Sequence, residues 1–234
     1  MRLHRFYTEE QLTQGTLFKC SKELTHQLAS VLRLRPGEEV ILFDGSGYDF
    51  RARLEEIKKK ECQLRIIDSF VPNREPKRRV ILFQSLIKKD KFEWVLQKGT
   101  EVGVSEFVPV IADRSVKRGF DLARGQKIIK EAAEQAGRAF VPMLRDPMVF
   151  ERAIGYTINR GYQVFFASFE ARPEERVAAY PSKHQVALFI GPEGGWTEKE
   201  IDKARTAGYL VVSLGKLTFR SETASIVAAY QLLH

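Results

Sequence analysis

Glu193 sits among glycines in Ile190-Gly191-Pro192-Glu193-Gly194-Gly195-Trp196, and Arg220 and Glu222 flank Ser221 in the stretch from Leu214 to Ala224. A carboxylate in such a loop can accept a proton or a hydrogen bond, and an arginine beside it can stabilise a developing negative charge or simply form a salt bridge. Arg220 precedes a helical pattern, where the helix dipole does not favour a cation, so an anionic partner is expected for it. Glu222, Glu193 or a substrate could be that partner. Gly191, Gly194 and Gly195 allow backbone angles and close approaches closed to other residues, although a plain strand-to-helix turn would use them too.

These loops need a scaffold that brings them together. Val186 to Ile190 and Leu210 to Leu214 are short apolar runs, and each leads into one of the loops. In an open α/β sheet, ligands bind in the crevice at the carboxyl ends of strands, so the two loops are expected to line one pocket. Similar runs at Val80–Leu86, Phe107–Ile111 and Val164–Phe169 alternate with helical stretches such as Lys91–Val102. That alternation predicts a mostly parallel sheet with helices on both faces. Thr197-Glu198-Lys199-Glu200 has the form of a capping box, and Ser221 reads as the N-cap of a last helix from Glu222 to Leu232.

The first 70 residues follow a different rhythm. Thr16–Lys19, Glu39–Phe43, Phe50–Ile57 and Cys62–Ile67 read as strands, and Asp44-Gly45-Ser46-Gly47 reads as a hairpin turn. One helix interrupts them, with Leu24, Leu28, Val31 and Leu32 on a single face. The pattern suggests a small β-barrel or sandwich over residues 1–72. The polar segment Val71–Lys77, with two prolines, then links it to an α/β domain over 73–234.

Charge points to the partner. Of the net +8, residues 73–130 contribute +7, with 14 Lys and Arg against 7 Asp and Glu. Arg74 and Lys77–Arg79, then Lys88, Lys89 and Lys91, then Arg114, Lys117 and Arg118 form three clusters. Together they favour a polyanion such as RNA over a merely solvated face. Arg2 and Arg5 are further candidates by charge. No apolar run approaches the roughly 20 residues that span a bilayer, so a soluble, cytoplasmic chain without a membrane partner is expected. Cys20, Cys62 and the four histidines show no metal-ligand spacing, so no metal is expected; a disulfide requires the fold to bring the cysteines together.

The two loops, with His26–Leu34, Lys98-Gly99-Thr100-Glu101-Val102-Gly103-Val104 and Glu131–Arg138, closely resemble the RsmE family of 16S ribosomal RNA (uracil-N3)-methyltransferases in the SPOUT superfamily. The resemblance spans nearly the whole chain in order. It implies a PUA-like N-terminal β-barrel that binds RNA, and a C-terminal SPOUT α/β domain with a trefoil knot. It further implies S-adenosylmethionine as cofactor, a homodimer, and one uridine of 16S rRNA in the 30S subunit as target.

Carried onto this chain, the cofactor would lie among Phe166-Ala167-Ser168, the loop containing Ile190, Gly191, Pro192, Gly194 and Gly195, and the loop containing Leu214, Gly215, Leu217, Thr218 and Phe219. Thr218, Phe219 and Ser221 depart from the residues common in the family. His26 and Arg33 become candidate RNA contacts with the lysines of the second basic cluster. Uracil N3 is a weakly acidic imide, so its methylation calls for loss of a proton and a cation near O2 or O4. Glu222 or Glu193 could take the proton and Arg220 or Arg138 the charge. Gln135, placed one helical turn before Arg138, could hydrogen-bond the base edge. Positioning without a side-chain base is a simpler alternative. A SPOUT enzyme acting on another RNA position or a ribose 2′-hydroxyl, and a non-catalytic RNA-binding protein, remain the competing accounts.

Overall fold

The computed structural model describes residues 3–58, 61–115, 120–172, 174–177 and 183–234; Arg2, Lys117 and Arg118 lie outside them. The chain divides into two compact units, Met1–Glu75 with Ala133–Val141, and Pro76–Ala132 with Pro142–His234. The first unit therefore includes a short segment contributed from the middle of the chain, beyond the contiguous span that the composition suggests.

The first unit is built on a five-stranded sheet. Its strands are β1 (Arg5–Tyr7), β2 (Leu17–Lys19), β3 (Glu39–Phe43), β4 (Asp49–Ile57) and β5 (Cys62–Phe70), in the order β1-β3-β4-β5-β2. Only the β1–β3 pairing is parallel. Alternation along β4 buries Phe50, Ala52 and Leu54 and exposes Arg51, Arg53 and Glu55, as a sheet with one solvated face requires. The hairpin glycines Gly45 and Gly47 adopt φ of 82° and 94°, which explains their place between β3 and β4. Cys20 and Cys62 are buried free thiols, and the Cys20 amide donates to the Cys62 carbonyl at 2.9 Å.

The expected single helix is two pieces. Helix α1 (Lys22–His26) is capped by Ser21, whose hydroxyl accepts from the Leu24 amide at 3.1 Å. It then widens into a π turn over Gln27–Val31, closed by the Leu32 amide on the Gln27 carbonyl at 2.9 Å. The wider turn rotates the apolar face, leaving Leu28 buried but Val31 65% exposed. Arg33 follows with φ of 56°, and it is exposed.

Charged side chains occupy the interior of this unit. The Arg5 guanidinium pairs with the Asp49 carboxylate, donates to the Arg138 carbonyl at 3.1 Å, and sits over the Phe43 ring. Arg138 in turn places its Nε 2.9 and 3.0 Å from the two carboxylate oxygens of Glu75. Arg5 and Arg138 are both buried.

The second unit holds the parallel sheet. Its strands are β6 (Arg79–Ser85), β7 (Glu106–Ile111), β8 (Met143–Leu144), β9 (Met148–Val149), β10 (Gln163–Ala167), β11 (Gln185–Ile190) and β12 (Leu210–Val212). The order is β12-β10-β11-β6-β7-β8, with β9 also on β7, and every pairing is parallel. Central strands β6 and β11 are near-continuous buried apolar runs, the signature of a sheet covered on both faces. Phe83 and Phe189 stack across them at 4.3 Å. Helices α2 (Lys89–Val102), α4 (Phe150–Ile158), α5 (Glu198–Thr206) and α6 (Ser221–Leu233) belong to this unit, while α3 (Leu122–Ala136) begins here and ends in the first.

Candidate functional site

The two glycine loops meet at the carboxyl ends of β10, β11 and β12. They line a cavity of about 690 Å³, within the range of small-molecule sites. Ala167 and Ser168 at the end of β10, the whole loop from Ile190 to Gly195, and the whole loop from Leu214 to Arg220 form its walls. Phe166 does not: its ring is fully buried and stacks on Trp196 at 4.6 Å, so this side chain supports the wall from beneath.

The first loop is shaped by its glycines and fixed by its neighbours. A Cβ on Gly191 would come 3.0 Å from the Trp196 indole nitrogen, so any larger residue would press the ring aside by a few tenths of an ångström. Gly195 takes φ of 70°, and the Trp196 Nε1 donates to the Ala167 carbonyl at 3.0 Å, tying the loop to β10. Arg114, in the turn after β7, donates to the Gly194 carbonyl at 2.8 Å. That turn is itself held by α5, because Glu200 accepts from the Asp113 amide at 3.0 Å while closing the capping box with Thr197. Trp196 and Arg114 were not singled out as site residues from the sequence. The signals were an aromatic directly after the glycines and an arginine just past a strand end.

The second loop ends on α6, which starts one residue earlier than its sequence pattern suggests. Arg220 is the N-cap position, and no side-chain cap bond forms there. Ser221 instead lies inside the first turn, and its hydroxyl donates to the Gly191 carbonyl at 2.6 Å, joining the second loop to the first. Leu217 is 78% exposed on the cavity rim, and Gly215 takes φ of 137°.

Charge is distributed unevenly around this opening. Arg114, Lys216 and Arg220 line it together with Glu170 and Glu193, and neither Lys216, Arg220 nor Glu193 forms an ion pair among the described residues. The Arg220–Glu222 and Arg220–Glu193 salt bridges considered from the sequence are thus not made. Glu222 is buried and its carboxylate meets Lys91 Nζ at 2.9 Å. Burial pushes its pKa up, but hydrogen bonds from Lys91 and the backbone, with the Lys91 and Arg220 charges, hold it below the usual carboxylate value. A carboxylate so stabilised is a poor proton acceptor near neutral pH. Lys91 is accordingly engaged with Glu222, whereas Lys88 and Lys89 are exposed at the start of α2.

Five described residues among the expected site residues belong to the first unit. Arg138 does not share a helix face with Gln135: α3 ends at Ala136, and Gly137 at φ of 82° turns the chain, with the Arg138 amide on the Ala133 carbonyl at 3.0 Å. Arg138 is buried against Glu75, and Arg5 against Asp49, so neither cation is presented to solvent. Gln135 is exposed on the last turn of α3, and His26 and Arg33 are exposed around the π turn. Among the described residues no group of histidine, cysteine or carboxylate side chains is arranged to hold a metal, and no helix is long and apolar enough to cross a membrane.

Residues 73–233 match the family described as an RNA methyltransferase domain, and residues 23–67 match the RNA methyltransferase PUA domain. A parallel α/β unit with a glycine-walled cavity and a separate small β unit is thus of the RNA methyltransferase class. More narrowly, the chain belongs to the ribosomal RNA small subunit methyltransferase E family. It is 30% identical to the Bacillus subtilis member, covering 94% of this chain and 91% of that one, and 31% identical to the Synechocystis member, covering 95% and 74%. The crystal structure of the Neisseria gonorrhoeae member, bound to S-adenosyl methionine, superposes with a TM-score of 0.91 at 32% identity over 98% of this chain and 96% of that one.

Proposed function

We propose that this chain transfers a methyl group from S-adenosylmethionine to N3 of a specific uridine in 16S rRNA of the small ribosomal subunit. The observation that carries the reading is the cavity at the ends of β10–β12, formed by the loops that the family resemblance assigns to the cofactor. The cofactor fits the residues present. Gly191, Gly194, Gly195 and Gly215 leave backbone open to a ligand, Gly191 where a Cβ would crowd Trp196 at 3.0 Å. Ala167, Ser168, Ile190, Pro192 and Thr218 add polar and backbone contacts, and Leu214, Leu217 and Phe219 give apolar walls for the adenosyl group. When bound, S-adenosylmethionine supplies an electrophilic methyl on a positively charged sulfonium.

The chain's own residues then have two tasks. Arg220 and Lys216, at the rim and without an ion pair among the described residues, are suited to the charge that develops on the uracil oxygens as N3 loses its proton. Glu193, exposed in the first loop, is the better-placed candidate to take that proton, since Glu222 is committed to Lys91. His26, Arg33, Lys88 and Lys89 are exposed cations or polar groups available to RNA phosphates.

The same reading gives residues 1–72 a PUA-like barrel and residues 73–234 a SPOUT fold with a trefoil knot, in a cytoplasmic homodimer. Support for the knot comes from connectivity: β12 is an edge strand beside β10, yet the helix after it packs on α2, β6 and β11, so the chain must cross back over the sheet. Support for the dimer comes from α6, whose Tyr230 is 56% exposed beside half-buried Ile226 and Val227. The deciding experiment is nucleoside analysis of small ribosomal subunits lacking the modification, after incubation with the protein and S-adenosylmethionine. The expected product is 3-methyluridine; a 2′-O-methylated nucleoside, or no modification, overturns the assignment.

A further inference from the structure

Gln84 is a glutamine at the end of the central strand β6, fully buried and outside the cavity lining. It lies in register with Ile190, the residue before Gly191. Its amide nitrogen donates to the Ser85 carbonyl at 2.9 Å and to the Ser221 hydroxyl at 3.0 Å, and its amide oxygen accepts from the Ser225 hydroxyl. The Ser85 carbonyl can only accept, so it fixes which end of the amide carries the protons. Ser221 therefore accepts a hydrogen bond from Gln84. A hydroxyl has a single proton of its own, and the one on Ser221 is left to point at the Gly191 carbonyl, 2.6 Å away.

We propose that Gln84 is a positioning residue for the cofactor cavity: through Ser221 it fixes the Gly191 carbonyl and hence the Gly191–Pro192 peptide in the wall. The inference rests on the reading of that cavity as the S-adenosylmethionine site. Gly191 lacks a side chain to define its orientation and Pro192 lacks an N–H, so this peptide has no amide donor of its own to anchor it. The Gln84 relay supplies the anchor from the rigid centre of the sheet. Ser225, one turn further along α6 and fully buried, has its hydroxyl shared between the amide oxygen and the Ser221 carbonyl, 2.9 Å away, and so ties the relay to the first turn of the helix.

The test is calorimetric titration of S-adenosylmethionine into the full chain and its variants, with steady-state kinetics alongside. Loss of a buried hydrogen bond of this kind corresponds to about tenfold weaker binding for Gln84→Met and for Ser221→Ala. Ser221→Thr keeps the hydroxyl and is expected to bind as wild type. The double variant Gln84→Met/Ser221→Ala is expected to be no weaker than either single one, because both break the same relay. KM for the cofactor should rise while kcat at saturation changes little. Should Gln84→Met fail to fold, Ser225→Ala decides, with about threefold weaker binding expected. Wild-type binding in Gln84→Met or, failing that variant, in Ser225→Ala overturns the proposal, as does additivity in the double variant. A wild-type chain that binds no S-adenosylmethionine overturns the functional reading, and this proposal with it.

Discussion

Arg5 and Arg138 in the first unit and Lys216 and Arg220 in the second are cations in one basic chain, yet their surroundings are opposite. The first pair is buried and matched to Asp49 and Glu75, whereas the second pair stands at a cavity rim without an ion-pair partner among the described residues. A buried guanidinium needs a fixed counter-ion and stabilises only the arrangement that provides it. A rim cation remains available for an incoming anion. Basic composition alone does not distinguish these roles.

The largest expected effect probes the buried side of this contrast. Asp49→Ala leaves Arg5 without its counter-ion in a site with no solvent access to Asp49, and should destabilise the fold by about 3–5 kcal/mol in urea denaturation. A loss below about 1 kcal/mol would mean that the pair is not structurally required. Arg220→Ala tests the opposite case: methyl transfer should fall by about 10²–10³-fold while stability stays within about 0.5 kcal/mol. An equal loss of stability would place Arg220 with the structural cations.

Gly191→Ala sharpens the description of the cavity itself. The added methyl presses on the Trp196 indole, with a cost of about 1–3 kcal/mol and a change in tryptophan fluorescence. Unchanged emission and stability would show that the ring can move aside. The smallest effect concerns Glu222, an anion between the two classes, buried yet beside the cavity loop. Its lowered folded-state pKa contributes stability above the unfolded carboxylate pKa, and that contribution disappears as pH falls through the folded value. The stability gap between wild type and Glu222→Gln should therefore be present at neutral pH and vanish under acid; a gap independent of pH would rule out the Lys91 pairing as its origin.

Much of the scaffold was legible because it depends on local patterns. Glu39–Phe43 alternates or runs apolar as its strand requires, the Asp44–Gly47 turn demands glycine, and Thr197–Glu200 forms the capping box its spacing announces. The strand-end loops were legible for the same reason. Features created by distant partners were not. Gln84 reads in sequence as a polar interruption of an apolar strand, and its meaning depends on Ser221 and Ser225. Arg5 and Arg138 read as free cations until Asp49 and Glu75 are brought beside them. The π turn at Gln27–Val31 adds one residue to a helical turn, which a 3.6-residue pattern does not register.

The middle segment Ala133–Val141 has a consequence for how this molecule can be cut or recombined. Its Glu134 carboxylate accepts from the Tyr7 amide at 2.9 Å, its Arg138 carbonyl caps Arg5, and its Ala139 amide binds Glu75 at 2.8 Å. The small β unit is therefore not a cassette that ends where the linker begins. A fragment stopping at residue 75 loses the lid over its own ionic centre, and a graft onto another enzyme would have to bring two pieces of sequence at once.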